Sequence, residues 1–231
     1  MMQPFIFATG NADKAREALE IFSAAVGQPL TSVPLQFAGS TFGYLIAGSV
    51  DIACTFATIS AATHSVPTVE ETGATLAANA RIKALGVHAV TGAMCVADDT
   101  GLVVDALGGR PGVRSARYAG EHAAYTDNVA LLLHELDGVS HAARTARFVT
   151  AVHIVDAYGN EHEVSGEVEG HIARAPSGEG TFGYDPVFVP VEGDGRTFAA
   201  MEPGDKHALS HRGRSLRACA KYLMKRDGNA S

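Results

Sequence analysis

Two adjacent carboxylate pairs stand out, Glu70-Glu71 and Asp98-Asp99. Adjacent acids repel, so burying them together is costly without a shared cation. Hard oxygen donors of this kind suit Mg²⁺, which keeps several waters and leans on substrate phosphates. Each pair also has a plainer reading. Glu70-Glu71 could be the acidic turn that opens a helix, and Asp98-Asp99 a solvated strand end.

Four further segments carry chemistry. In Thr9-Gly10-Asn11-Ala12-Asp13-Lys14 a strand ends, a glycine turns the chain and a helix begins. The first N–H groups of such a helix have no partner within it and point at an anion site. Lys14 is poorly placed for the helix dipole unless it faces a negative group. Asn79 and Lys83 are four apart and share a helix face. In Thr181-Phe182-Gly183-Tyr184-Asp185-Pro186 the glycine lets backbone approach a ligand, Phe182 offers a stacking face and Asp185 an acceptor. Lys206-His207-Ala208-Leu209-Ser210-His211-Arg212 would open a helix with cationic or titratable groups, a conflict that an anionic ligand resolves. His207 and His211 also have the spacing of two zinc ligands on one helix, although HExxH is absent.

These segments need elements to hold them. Pro4 to Thr9 reads as a buried strand, and 12–26 as a helix with Ala15, Leu19, Phe22 and Val26 on one face. A second helix covers 75–88. Met94 to Ala97 is a strand ending at Asp98-Asp99, and Gly101 to Leu107 continues extended. Gly108 to Gly112 is an irregular loop. A helix over 126–136 presents Val129, Leu132, Leu133 and Leu136. Residues 147–155 and 161–172 alternate with period two, with a turn between them. A Gly-rich loop covers 178–185, a strand 186–189, and a last helix 207–225. The order predicts an α/β protein, a single domain over 1–231, with a mixed sheet and helices packed on it.

Bulk properties agree. The 231 residues are 46% apolar and 19% charged, ordinary for a folded protein. A net charge of −7 argues against a broad nucleic-acid footprint, so an anion must be held locally. Cys54, Cys95 and Cys219 are widely separated and read as free thiols in a reducing compartment. The N-terminus lacks a signal-peptide pattern. Phe42 to Ala62 is mostly apolar or small, but Ser, Thr and Gly interrupt it, so buried strands fit better than a membrane span.

Taken in order, FATGNADKAREALEI, VEETGATLAANARIKA, VADDTGLVVDALGGRPGVRSARYAG, TFGYDPVFVP and DKHALSHRGRSLR resemble the inosine triphosphate pyrophosphatase family. The resemblance covers most of residues 5–221; residues 28–67 form a divergent or inserted segment. It implies an elongated mixed β-sheet with flanking helices and two lobes around a central cleft, in a cytoplasmic homodimer. It implies Mg²⁺-dependent cleavage of purine nucleoside triphosphates such as ITP, dITP and XTP to monophosphate and pyrophosphate, with no membrane or nucleic-acid polymer as partner. By that resemblance Asp99 is the general base or a water-orienting acid, and Glu71 and Asp99 hold Mg²⁺. Thr9, Gly10, Asn11, Ala12, Asp13, Lys14, Lys83, Thr100 and Lys206 hold the phosphates, with Asn79 beside them. Phe182 stacks on the base, and Gly183, Tyr184, Asp185, His211 and Arg212 line its pocket.

Three positions depart from the family pattern. Thr100 stands where Ser is expected, and the hydroxyl survives. Asp13 replaces Gly and puts a negative side chain beside the phosphate turn. Thr181 replaces Gly before Phe182. Competing readings are a pyrophosphatase of modified pyrimidine nucleotides, a non-catalytic nucleotide-binding protein, and a zinc hydrolase built on His207 and His211.

Overall fold

In the computed structural model, residues 2–37, 39–48, 55, 59, 69–179 and 182–228 are described below. The strands are β1 (Phe5–Phe7), β2 (Thr31–Phe37), β3 (Ser40–Ala47), β4 (Cys95–Val104), β5 (Pro111–Gly112), β6 (Thr145–Val155), β7 (Glu161–Ile172) and β8 (Phe188–Pro190). They form one eight-stranded sheet in the order β2-β3-β1-β4-β6-β7-β8, with β5 paired to β4. The sheet is mixed: β1 runs parallel to β4 and antiparallel to β3, and β2 is antiparallel to β3. The helices are α1 (Ala12–Val26), α2 (Leu76–Thr91), α3 (Tyr125–Glu135), α4 (Pro203–Leu209) and α5 (His211–Gly228). The α/β class and mixed sheet with flanking helices are therefore as expected. Among the described residues, no helix is long and apolar enough to cross a membrane.

The chain divides into two compact units. The first comprises Met1–Asp99, Ala151–Val164 and Ser215–Ser231. Strand β1 and the start of β4 are covered on both faces, and the pleat decides which residue goes where. Phe5, Phe7, Met94 and Val96 join Val152 and Ile154 in one cluster with α1 and α5. Ile6, Ala8, Cys95 and Ala97 point the other way and pack with Ala84 and Val87 of α2. Alternate side chains leave opposite faces of a strand, so a strand buried on both sides reads as an unbroken apolar run. That is why FIF and MCVA lack alternation.

Helix α1 buries Ala15, Ala18, Ile21 and Phe22, with Leu19 and Val26 at the edge of the cluster, a stripe rotated slightly from the expected one. Phe22 meets Phe5 edge-on at 5.0 Å. Gly27 ends the helix with φ 72°, a conformation that costs other residues more. Helix α5 contributes Leu216, Cys219, Ala220 and Leu223, at helical spacing. Cys95 and Cys219 are buried free thiols, and burial, only partly offset by Thr91, pushes Cys95 up to about 12. Cys54 lies outside the described residues, as does most of 49–68; within the divergent segment the described residues are 28–37, 39–48, 55 and 59, which include β2 and β3.

The second unit comprises Thr100–Thr150 and Ser165–Arg214. Its core joins Leu102, Val129, Leu132, Leu136, Phe148, Ile172, Phe188 and Phe198. Buried Arg144 donates to the carbonyls of Leu136, Val139 and Ala173, which tethers the end of α3.

Several expectations are corrected. Strand β4 does not end at Asp98-Asp99 but continues to Val104, and Asp105–Leu107 is a 3-10 turn rather than extended. Pro111–Gly112 pairs with Leu102 and Val103 instead of looping free of the sheet. The single helix expected over 207–225 is broken between α4 and α5. Ser210 is extended (φ −66°, ψ 152°), and its Oγ accepts the Gly213 N–H at 3.0 Å, so it caps the start of α5.

Candidate active site

In the first unit, strand parity separates the two aspartates of β4. Asp98 has the parity of Val96, which packs toward α1, and Asp99 that of Cys95 and Ala97, which pack toward α2. Accordingly Lys14 of α1 meets Asp98 Oδ1 at 3.2 Å, whereas Lys83 of α2 meets Asp99 Oδ1 at 3.3 Å. Lys83 Nζ also lies 3.3 Å from Glu71 Oε1. Two carboxylates from distant parts of the sequence thus converge on one cationic point. Asp98 and Asp99 are both buried.

Asn79 is fully buried, and both ends of its amide are used: Oδ1 accepts the Gly73 N–H at 2.8 Å, and Nδ2 donates to Asp99 Oδ2 at 3.2 Å. It aims Asp99. A Cβ on Gly73 would lie 2.6 Å from Asn79 Oδ1, so glycine is what lets this backbone come close. Glu70 and Glu71 precede α2 and are not in its first turn, which begins after the N-cap Thr75 and holds no acid. Their helix-opening reading is corrected, and Glu71 is instead directed to Lys83.

Burial holds the Asp99 carboxyl above the usual carboxylate range. Lys83 and Lys14 pull it back, Glu71 pushes it further up, and the Asn79 bond favours the anion. Lys83 is displaced upward: burial lowers it, but Asp99, Asp98 and Glu71 together prevail.

The turn into α1 is built by its own side chains. Thr9 Oγ1 accepts the Asn11 N–H, and Asn11 Oδ1 accepts the N–H groups of Asp13 and Lys14. Asn11 is the expected N-cap. Two of the helix N–H groups expected to face an anion are therefore already satisfied, and the positive potential here comes from the helix dipole and from Lys14, itself paired with Asp98. Gly10 precedes the cap and Ala12 opens the helix. Asp13 is turned to Arg16, 2.6 Å away.

The second unit holds the other expected residues. Thr100 Oγ1 lies 2.8 Å from Thr150 Oγ1 and 3.4 Å from Arg212 Nη2. Phe182 has Lys206 Nζ and the Arg212 guanidinium each 5.3 Å from its ring centroid, and Tyr125 edge-on at 5.5 Å. Lys206 also pairs with buried Asp185 at 2.7 Å. Expected at the phosphates, Lys206 thus sits beside the aromatic residue expected at the base. Gly183 has φ 55°, within a tight turn from Phe182 to Asp185. Tyr184 is buried, its hydroxyl donates to the Ser115 carbonyl at 2.9 Å, and burial pushes its phenol up. His211 is buried and stacks on Phe148 at 4.4 Å. Thr181 lies outside the described residues.

Lys206 and His207 fall in the last turn of α4, where the dipole favours cations, so the expected electrostatic conflict does not arise for them. His207 and His211 lie in different helices, and the break at Ser210 removes the shared face that a zinc pair needs. Sequence reasoning missed Asp98 as the partner of Lys14, and missed Thr150, Ser115 and Tyr125. The Asp98 pairing could have been found from strand parity; the others carry no local signal.

The sequence matches the Ham1 family over residues 5–222. It is 53% identical over 147 residues to the dITP/XTP pyrophosphatase of Mycolicibacterium paratuberculosis, covering 64% of this chain and 72% of that protein. To the dITP/XTP pyrophosphatase of Geobacillus kaustophilus it is 50% identical over 150 residues, covering 65% and 73%. Among solved structures, a HAM1 protein from Coxiella burnetii superposes with a TM-score of 0.72 at 31% identity, covering 96% of this chain and 98% of that one. A nucleoside-triphosphatase / dITP/XTP pyrophosphatase from Mycobacterium abscessus gives 0.59 at 48% identity, covering 68% and 82%.

Proposed function

This chain belongs to the Ham1 family, and from that membership we propose that it hydrolyses dITP, ITP and XTP to the monophosphate and pyrophosphate, clearing aberrant purine nucleotides from the cytoplasmic pool. The observation that carries the reading is the convergence of Glu71 and Asp99 on Lys83, each at 3.3 Å, in a chain that is 53% identical to a dITP/XTP pyrophosphatase over 64% of its length.

In the reaction, a water oxygen bonds to the α-phosphorus and the α–β anhydride P–O bond breaks. Pyrophosphate leaves with the electron pair, and Asp99 takes the water's proton. A carboxyl raised above its usual range is a stronger base than an ordinary aspartate. Asn79 holds Asp99 in one orientation through the 3.2 Å bond. Lys14, Lys83, Lys206 and the Thr100 hydroxyl bind phosphate oxygens, where fixed donors stabilise developing charge.

The donor set fits Mg²⁺. Glu71 and Asp99 are hard oxygen donors, the kind taken by an ion that binds one or two carboxylates and completes its shell with water and phosphate. Glu71 and Asp99 would hold it, and it would neutralise triphosphate charge and ease departure of pyrophosphate. Phe182 stacks on the base, while Arg212 and His211 supply donors that favour a 6-oxo purine over a 6-amino one. The protein acts as a homodimer.

The test is pyrophosphate release from dITP, ITP, XTP, GTP, ATP and dUTP, with and without Mg²⁺. Fast Mg²⁺-dependent release from dITP, ITP and XTP, with GTP and ATP slow, is expected. Release from dUTP alone would move the assignment to pyrimidine nucleotides, and tight dITP binding without release would make the chain a sensor.

A further inference from the structure

Phe182 and Tyr125 are each half-buried, and among the described residues neither belongs to the apolar core of the second unit. Their rings meet at 5.5 Å with an interplanar angle of 70°, the edge-on geometry that aromatic pairs favour. The chain around Phe182 is rich in glycine, at Gly178, Gly180 and Gly183, so few side chains along it can brace the ring. Lys206 and the Arg212 guanidinium lie over the ring, each 5.3 Å from its centroid, but both stand on long stems with many rotors. Tyr125 differs in kind: it is a flat ring on a short stem, carried by the first residue of α3. Side chains other than Tyr125 secure the start of that helix. Asp127 Oδ2 accepts the Ala124 N–H at 2.9 Å, and buried Asn128 accepts the Ala119 N–H at 2.8 Å and donates to the Ala116 carbonyl at 3.1 Å.

We propose that Tyr125 is a positioning residue of the base site, holding the Phe182 ring in the orientation that stacks on a purine. The inference rests on the reading of Phe182 as the stacking residue. Tyr125 acts through Phe182 and not on the nucleotide. A ring already in place binds without a selection cost, whereas a ring that samples other rotamers weakens binding in proportion to the fraction in place. Stacking reads the π-face common to all bases, so the effect falls on affinity and not on the choice between ITP and ATP.

For dITP hydrolysis, Tyr125→Leu is expected to raise KM about 2- to 10-fold, the worth of one aromatic pair, with kcat almost unchanged. ITP and ATP should lose alike. Tyr125→Phe keeps the ring and should return KM to near wild type. In a Phe182→Leu background, Tyr125→Leu should add little, because no ring is left to hold. A merely structural role would lower the melting temperature and the active fraction, hence the apparent kcat, equally in both backgrounds. Should Tyr125→Leu not fold, Tyr125→Met, an unbranched side chain without a flat ring, reads the same comparison. Wild-type turnover is measured first: no pyrophosphate release there sinks the functional reading and this inference with it. An indifferent Phe182→Leu overturns the inference together with the stacking role of Phe182. With normal wild-type turnover and a KM rise in Phe182→Leu, three results overturn the inference alone: an indifferent Tyr125→Leu, an equal penalty in both backgrounds, or a Tyr125→Phe as impaired as Tyr125→Leu.

Discussion

Lys83 Nζ stands 3.3 Å from Asp99 Oδ1, yet the aspartate's carboxyl lies above its ordinary range because burial outweighs the lysine. The fold therefore holds the anionic form of Asp99 at a cost. A carboxylate whose folded pKa is raised stabilises the protein less as pH rises from its unfolded pKa to its folded one. Asp99→Asn is expected to abolish pyrophosphate release while leaving the neutral-pH melting temperature equal to or above wild type. Turnover assays and thermal melts between pH 4 and 7, a span on the order of the carboxylate range, check it. Near-normal turnover would refute the role as base, and a collapsed fold would refute the electrostatic account.

Removing the other partner should act in the opposite sense. Lys83→Met leaves Glu71 and Asp99 converging without that cation. Breaking a buried pair from one side costs roughly 3–5 kcal/mol, and less here because Glu71 is one-third exposed. Without Lys83 the Asp99 carboxyl rises further, so the deficit should be largest at neutral pH and shrink on acidification. Melting temperatures of variant and wild type across pH read this directly; a pH-independent deficit would mean that Lys83 contributes through packing alone.

Asp13 is the residue most at odds with phosphate binding, and its neighbour Arg16 answers it at 2.6 Å. The pair is exposed, at 66% and 45%, so it contributes little to stability. Its effect lies in the local field beside Lys14. Arg16→Ala should raise KM for dITP by about 2- to 5-fold at low salt, with the melting temperature almost unchanged. Asp13→Asn in the same chain should reverse the rise, and high salt should erase it. A KM rise that persists in the double variant would show that Arg16 acts independently of Asp13.

The residues legible in the sequence are those whose role is local. Asn11 is an N-cap because its side chain reaches the N–H groups two and three residues on, a relation visible in a short string. The helix over 12–26 follows from apolar spacing, whereas the second, expected over 75–88, runs on to Thr91, where Gly92 ends it in the left-handed region. The break at Ser210 was hidden because the residues on either side are compatible with helix, and only the cap bond to Gly213 decides the outcome. Thr150 was hidden for a different reason: its partner is fifty residues away, and a threonine inside a strand looks like ordinary β-propensity. The ion pair of Lys206 with Asp185 was hidden too, since it depends on how α4 packs and not on the residues next to it.

Phe182 and Arg212 allow stacking to be separated from base reading, since the guanidinium lies 5.3 Å from the ring centroid. Every base has a π-face, so stacking carries affinity with little selectivity. A donor aimed at a 6-oxo group carries selectivity, because the 6-amino purine offers no acceptor there. Phe182→Leu is expected to raise KM for ITP and ATP together and leave their kcat/KM ratio unchanged. Arg212→Ala should instead narrow the ITP/ATP ratio by about 10- to 100-fold, the worth of a hydrogen bond from a charged donor. Because Arg212 also reaches Thr100 at 3.4 Å, part of its loss should appear as a KM rise common to both nucleotides. Arg212→Lys keeps the charge without the planar fork, so it should recover that shared loss more fully than the ratio. Steady-state kinetics on ITP and ATP for the three variants separate these effects. An ITP/ATP ratio unmoved by Arg212→Ala would remove Arg212 from base recognition and leave it as a support for Phe182 and Thr100.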